Sequence, residues 1–326
     1  MTSLTVYCNA DLPAPAAALL REEVAPHRLL FAGGGAVGVL GQGAPDKQLD
    51  EAEVVFGQPD PRQIMEAPGL RWVQLSSAGY ARYDRPDLMD AFRRRGAALT
   101  KSSLVYDDAC ALHVLAFICA HARQLPGAWE AQRGARDWPQ ASLRARSRLL
   151  QDESVVLVGF GAIGRRLVQL LEPLKMRISA IRRQPAGDEP VPTHAVEAPA
   201  AARALAIADH VVNILPDSAS TERFFDAARI AAFKPGVVFY NIGRGSTVAE
   251  DALQAALTDG RVAAAYLDVT SSEPLPPENP LWSAPNCFIT PHTGGGHATE
   301  SVRLVRHFLD NLVRFASGEP LLDRVV

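Results

Sequence analysis

Lysine is scarce in this chain of 326 residues. Only four of its 33 basic residues are Lys (positions 47, 101, 175 and 234), and the 29 Arg that remain are read mostly as background in an Ala-rich sequence. Net charge is nearly absent as well: 33 Lys plus Arg against 36 Asp plus Glu leave a formal charge of -3. So balanced a chain has no electrostatic footprint for nucleic acid or for an anionic membrane. Cysteine is limited to Cys8, Cys110, Cys119 and Cys287, with no CxxC pair. That spacing argues against structural zinc and against a disulfide framework. Free thiols in a reducing cytoplasm are the expectation. None of the eight His falls in an HExxH, so no metal site is expected. The longest apolar stretch, Ala109 to Ala122, carries His113 and His121. It is too short to span a bilayer and reads as a buried helix, with both His as packing residues rather than metal ligands. The first residues, MTSLTVYCNADLPAPAA, lack a basic segment followed by an apolar core, so a secretory signal is not expected.

What is present is ordinary for a globular protein: 48% hydrophobic and 21% charged residues. The length suggests about two domains. Strand-like and helix-like runs alternate from the start: strands at Leu4–Cys8, Arg28–Phe31, Val54–Phe56 and Leu70–Leu75, helices at Ala16–Glu23 and Pro61–Glu66. A long apolar helix is expected over Ser103–Leu125, ended by Pro126-Gly127, with an Arg-rich surface connection over Gln132–Arg148. A second series follows, with strands at Ser154–Val158, Met176–Ile181, His210–Leu215, Gly236–Asn241, Ala263–Val269 and Cys287–Ile289. Helices at Arg165–Leu171, Ala200–Ala208 and Ala249–Asp259 separate them, Gln184–Pro199 and Pro274–Pro285 read as loops, and an amphipathic helix closes the series at Ala298–Ala316. Alternation of this kind implies βαβ units and mostly parallel sheets, an α/β protein.

Residues 155–164 read VVLVGFGAIG, so Gly159, Gly161 and Gly164 fit GxGxxG directly after a strand and at the opening of a helix. The first glycine permits the tight turn, the second the approach of a pyrophosphate, and the third close helix–strand packing. The first residues of the helix, including Phe160, Ala162 and Ile163 around its start, would offer backbone N–H groups to the phosphates. The end of the next strand decides which dinucleotide is bound. An acid is expected there for the ribose 2′-hydroxyl of NAD. Instead Arg182 stands 21 positions after Gly161 and is followed by Arg183. No carboxylate is in view to repel a 2′-phosphate, and two guanidinium groups stand ready to grip it. NADP(H) is favoured, with NAD(H) possible.

Three further stretches sharpen the reading: FYNIGRGSTV at 239–248, YLDVTSSEPLP at 266–276 and ITPHTGG at 289–295. Together with GFGAIG at 159–164 and NILPDSAST at 213–221, they resemble the D-isomer-specific 2-hydroxyacid dehydrogenase family, in particular its glyoxylate and hydroxypyruvate reductases. The resemblance runs from about Leu70 to the end and is strongest over Val155–Gly295. It places the family's catalytic trio on Arg244, Glu273 and His292. The chemistry suits those residue types. A planar guanidinium can hold both the carboxylate and the carbonyl oxygen of a 2-oxo acid. An imidazole can protonate the developing alkoxide, and a carboxylate beside it fixes the ring.

The same resemblance assigns Leu215, Pro216, Ile242 and Gly243 to the cofactor pocket and Asp268 to the nicotinamide carboxamide, with Thr221 starting a helix. Backbone N–H groups of Ser77, Ala78 and Gly79 would hold the substrate carboxylate beside Arg244 and His292. Four positions depart from the family pattern. Leu112-His113 replaces its Glu-His, which puts a polar contact from that helix in doubt. Tyr80 and Tyr83 stand where they would narrow the substrate mouth, and Thr270 replaces a Phe, which would loosen local packing. The implied fold is two Rossmann-like or flavodoxin-like domains with parallel sheets and a cleft between them. The substrate-binding domain would comprise residues 1–102 plus 293–326, and the NAD(P)-binding domain residues 103–292, with crossover helices near 103–124 and 298–316. The implied activity is hydride transfer between NAD(P)H and a small 2-oxo acid, in a cytoplasmic homodimer. Phosphoglycerate, formate or phosphite dehydrogenases share the scaffold and stay open as alternatives. So does a nucleotide-sensing binding protein like the C-terminal-binding corepressors, although retention of Arg244, Glu273 and His292 favours an enzyme.

Overall fold

A computed structural model describes residues 3–326. The chain divides into two compact units, Met1–Tyr106 with Gly296–Val326, and Asp107–Gly295. In the first unit the elements are β1 (Thr5–Cys8), α1 (Ala14–Glu23), β2 (Arg28–Phe31), β3 (Val54–Gly57), α2 (Pro61–Glu66), β4 (Trp72–Leu75), α3 (Pro86–Arg95) and β5 (Ala98–Thr100). The strands form one parallel sheet in the order β2-β1-β3-β4-β5. That is the flavodoxin-like order, whose direction reverses between β1 and β3. Strands β3 and β4 are buried at every position, as apolar runs covered on both faces should be.

The boundary between the units falls within α4 (Ser103–Ala122). Beyond it come α5 (Leu125–Arg133), α6 (Gln140–Arg146), β6 (Ser154–Val158), α7 (Ala162–Leu171), β7 (Arg177–Arg182), β8 (Thr193–Ala195), α8 (Pro199–Ile207), β9 (His210–Asn213), α9 (Ala227–Ala231), β10 (Val237–Asn241), α10 (Glu250–Thr258), β11 (Val262–Leu267), β12 (Cys287–Ile289) and, in the first unit again, α11 (Glu300–Ser317). The second sheet is parallel throughout, in the order β12-β11-β10-β9-β6-β7-β8. This is the Rossmann order with one strand added, and its switch point lies between β6 and β9. Ligands of such sheets bind beyond the carboxyl ends of the strands at that point.

Helix α11 completes the first unit. Its Phe308 stacks on Phe56 at 4.4 Å and on Trp72 at 5.4 Å between ring centres. Its buried Asn311 donates to Gln74 Oε1 at 2.8 Å. The following tail pairs with β5, where the Leu99 N–H donates to the Val326 carbonyl at 3.1 Å.

Several elements differ from the sequence-based expectation. Helix α3 and strand β5 occupy a stretch that had no assignment. Pro86 opens that helix and Gly96, with φ of 66°, closes it. The long helix stops at Ala122, and Pro126 sits in the first turn of α5 instead of ending α4. The connection expected over 132–148 contains α6, and the loop expected over 184–199 contains β8. Helix α4 has 20 residues, so by length and composition it is long enough to cross a membrane, unlike the shorter stretch read from the sequence. Val105, Ala111, Val114, Ile118 and Ala122 along it are buried, as in a core helix.

Candidate active site

The loop after β6 is shaped by its glycines. Gly159 has φ of 94°, and a Cβ there would stand 2.8 Å from the Ile214 carbonyl. Only glycine satisfies both the turn and the approach to β9. Gly161 caps α7 with extended backbone and no side-chain hydrogen bond, and the first turn carries no acid. The space around its missing Cβ is open. Phe160 is buried and packs against Gly164, while Ala162 and Ile163 begin the helix half-exposed. Uncapped amides, a positive helix end and open space fit a dinucleotide pyrophosphate.

At the end of β7 the structure corrects one expectation. A carboxylate is present. Glu189 Oε1 accepts from Arg182 Nη1 at 2.8 Å, and the Ala186 and Gly187 amides donate to the same carboxylate at 2.7 and 2.9 Å. Arg183 is exposed beside it. A proline- and glycine-containing turn brings residue 189 back to residue 182, a return that strand and helix periodicity does not reveal.

The remaining residues gather on loops at the carboxyl ends of β9 to β12. His292 Nδ1 lies 2.6 Å from Glu273 Oε2. A carboxylate can only accept, so Nδ1 carries the hydrogen and Nε2 is the nitrogen that exchanges a proton. The other Glu273 oxygen accepts from the Thr270 N–H at 3.0 Å. Thr270 is buried and its hydroxyl donates to the Ser272 carbonyl at 2.8 Å. Thr270 therefore ties down the loop that presents Glu273, where looser packing was expected. His292 itself has φ of 52°. Its N–H donates to the carbonyls of Asp268 at 2.8 Å and Thr290 at 2.9 Å. Those bonds hold the left-handed conformation in place.

Asp268 is 3% exposed, and its carboxylate faces its own fold. Oδ1 accepts from the Thr290 hydroxyl at 2.6 Å and the Thr293 N–H at 2.9 Å, and Oδ2 from the Gly294 N–H at 2.9 Å. These bonds fix the segment that carries His292. The Thr290 hydroxyl, having given its hydrogen to Asp268, accepts from His113 Nε2 at 3.1 Å. Burial holds the His113 pKa below its ordinary value, against the pull of the nearby Asp268. Helix α4 thus does make a polar contact, through His113, while Leu112 is exposed. Nothing in the motif spacing joins residues 113 and 290, so the role of His113 beyond packing emerges only from the fold.

Arg244 follows β10, and its Nη1 donates to the Gly243 carbonyl at 2.7 Å. Its own carbonyl accepts from Thr247 Oγ1 at 2.6 Å and Asn241 Nδ2 at 3.2 Å. The Asn241 side chain also accepts from Asn213 Nδ2 at 2.9 Å and from the Gly243 N–H at 3.1 Å. In this buried Asn–Asn–Thr cluster both Asn stand at strand ends within the quoted motifs, the one signal in the sequence that points to it. Ile242 is buried behind it. At Gly245 a Cβ would fall on the Thr270 carbonyl, so glycine alone lets the loops of Arg244 and Glu273 touch. Leu215 and Pro216 lie half-exposed and exposed on the loop after β9. Thr221 does not start a helix: its hydroxyl donates to the Pro216 carbonyl at 2.6 Å, and α9 begins later, capped by Asp226.

Ser77, Ala78 and Gly79 follow β4 in the first unit. Ser77 Oγ donates to the Gly79 carbonyl at 2.6 Å and accepts from Gln58 Nε2 at 3.0 Å. Tyr83 is a core residue and not part of a mouth, with its hydroxyl donating to the Pro59 carbonyl at 2.8 Å. Tyr80 is half-buried and carries the Lys101 ammonium 5.4 Å above its ring.

This fold and loop set define a dinucleotide-dependent oxidoreductase. A family model, D-isomer specific 2-hydroxyacid dehydrogenase, NAD binding domain, matches residues 115–294. Human glyoxylate reductase/hydroxypyruvate reductase is 31% identical over 269 residues, covering 80% of this chain and 79% of that protein. Glyoxylate/hydroxypyruvate reductase B of Pectobacterium atrosepticum is 28% identical over 274 residues, 81% of each chain. A D-isomer specific 2-hydroxyacid dehydrogenase from Xanthobacter autotrophicus Py2, solved with NADPH and MES, superposes with a TM-score of 0.81 at 27% identity, covering 100% of this chain and 98% of that one. The chain belongs to the D-isomer specific 2-hydroxyacid dehydrogenase family, and it is an NAD(P)-dependent enzyme.

Proposed function

We propose that the protein is an NADPH-favouring reductase of a small 2-oxo acid such as glyoxylate or hydroxypyruvate. The observation that carries this reading is the 2.6 Å contact between His292 Nδ1 and Glu273 Oε2, on loops at the carboxyl end of the nucleotide-type sheet. When bound, the nicotinamide supplies hydride to the substrate carbonyl. His292 delivers a proton from Nε2 to the oxygen as it gains charge, and Glu273 on Nδ1 keeps the ring oriented. The Arg244 guanidinium pairs with the substrate carboxylate and polarises the carbonyl. The amides of Ser77–Gly79 would take the other carboxylate oxygen. Gly159–Gly164 would hold the pyrophosphate, Arg182 and Arg183 the 2′-phosphate, and Leu215, Pro216, Ile242 and Gly243 the nicotinamide side. Asp268, assigned from family resemblance to the carboxamide, acts first as the anchor of residues 290–294. The names of the human and Pectobacterium relatives support the substrate class, and the NADPH bound by the Xanthobacter relative supports the cofactor. The test is NADPH and NADH oxidation across a panel of 2-oxo acids. Turnover of a two- or three-carbon 2-oxo acid, faster with NADPH, is expected. No turnover of any would overturn the reading.

A homodimer in the cytoplasm completes the proposal. Leu112, Trp129 and Trp138 are 59%, 48% and 88% exposed in the second unit, an apolar cost that a second copy would relieve. Cys8, Cys119 and Cys287 stand outside any disulfide, which suits a reducing compartment. Sedimentation equilibrium is expected to give twice the chain mass; a monomer at micromolar concentration would refute the dimer.

A further inference from the structure

The Arg182–Glu189 pair is built like an anion seat that is already filled. Three donors converge on one carboxylate: the Arg182 guanidinium and the Ala186 and Gly187 amides. Gly187 has φ of 88°, which turns its N–H toward the seat. Consecutive amides around such a turn form a concavity suited to an anion. The Glu189 side chain is only 4% exposed and the Arg182 side chain 31%. The Ala186 amide, then Gly187 and Arg182, hold the Glu189 pKa down to about 2, so it stays ionised at any working pH. Of the neighbouring charges, Arg165 reaches Asp188 at 3.3 Å, and Arg183 is exposed. The seat stands at the end of β7, where a dinucleotide-binding fold selects its adenosine ribose.

We propose that Glu189 is a specificity-determining residue: its carboxylate occupies the Arg182 seat in the free enzyme, and a ribose 2′-phosphate must displace it to bind. The inference rests on the NADPH reading above. NADH brings no anion to the seat and leaves the Arg182–Glu189 pair in place. NADPH exchanges one anion for another, so part of its charge-assisted gain is spent on removing the first. Glu189 therefore narrows the preference for NADPH, and Arg182 without Glu189 would widen it.

Glu189→Gln removes the charge and keeps one acceptor oxygen, enough for the Ala186 N–H on Oε1, while its NH2 replaces the oxygen that the Gly187 N–H reaches. Calorimetric titration with 2′-AMP and 5′-AMP, and fluorescence titration with NADPH and NADH, read binding without turnover. Glu189→Gln is expected to bind 2′-AMP and NADPH roughly threefold to tenfold more tightly, with 5′-AMP and NADH changed less than twofold. In an Arg182→Gln background the same exchange at 189 should have no effect on NADPH. Unchanged or weaker 2′-AMP binding by Glu189→Gln, or an equal shift for NADH, would overturn the role of Glu189. If that variant does not fold, the wild type decides. Hydrogen exchange over residues 184–190 should change with saturating 2′-AMP and not with 5′-AMP, and an unaltered profile with 2′-AMP overturns the proposal. A wild type that binds neither NADPH nor 2′-AMP overturns the cofactor reading itself, a result distinct from normal NADPH binding with no effect at 189.

Discussion

At the scale of single residues, the site depends on a few side chains with no spare partners. His292 has one ring nitrogen on Glu273 and the other free for chemistry. His292→Ala should lower kcat by roughly 10²–10⁴, the range for loss of a general acid, while NADPH binding measured by fluorescence stays within a factor of two. Near-normal turnover would exclude His292 as the proton donor. Glu273→Gln replaces one of two acceptor oxygens by an NH2 donor, so the His292 Nδ1–H and the Thr270 N–H can no longer both be satisfied. It should lower kcat with NADPH binding unchanged, and an unchanged kcat would separate Glu273 from the proton transfer. Gly245 is constrained by volume alone. Gly245→Ala drives a methyl into the Thr270 carbonyl, so a loss of about 2 kcal/mol or more is expected in chemical denaturation. An unchanged midpoint would mean that the two loops separate freely.

At the scale of elements, the segment after β12 is held from three sides: by the Asp268 carboxylate, by the Asp268 carbonyl and, through Thr290, by His113 of α4. Thr290→Val removes the hydroxyl that links the last of these, and the cost of losing bonds to a buried charge is about 1.5–3 kcal/mol. The variant should lose both stability and kcat, and Thr290→Ser should restore both because it keeps the hydroxyl. Failure of the Ser variant to rescue would point to the lost methyl instead. The elements themselves were legible to different degrees. Strands such as Ser154–Val158 and Val237–Asn241 are continuous apolar runs bounded by glycine, and buried parallel strands leave that trace. The motifs marked Glu273 and His292, and only the fold shows that they meet. Helix α3 had its stop signals in place, Pro86 at one end and Gly96 at the other, but its face is mostly charged, which hid its period. Glu189 was missed for a different reason: contacts across a turn of prolines and glycines follow backbone dihedrals, not side-chain pattern.

At the scale of the molecule, acid should weaken the fold. Burial first, and then the nearby His210 and Arg148, lower the His121 pKa to about 4 against the opposing effect of Glu153. An unfolded chain binds that proton near pH 6.5. Between about pH 6.5 and 4 the unfolded state therefore holds more protons, and stability falls as pH falls through that window. Melting temperature followed by calorimetry should drop across it, and His121→Gln should flatten the drop; parallel curves would remove His121 as a cause. The division of the chain has a consequence of another kind. The first unit needs α11 and the tail beside β5, yet all of the second unit, residues 107–295, is made in between. At roughly 5–20 residues per second, a ribosome takes about 10–40 s to cross that insert. During that interval Phe56 and Trp72 lack the ring of Phe308, and the rim of β5 lacks its neighbour. The order of manufacture thus leaves the earliest-made sheet waiting longest for its cover, and a nascent chain stalled within residues 107–295 should be far more prone to aggregate than the finished enzyme.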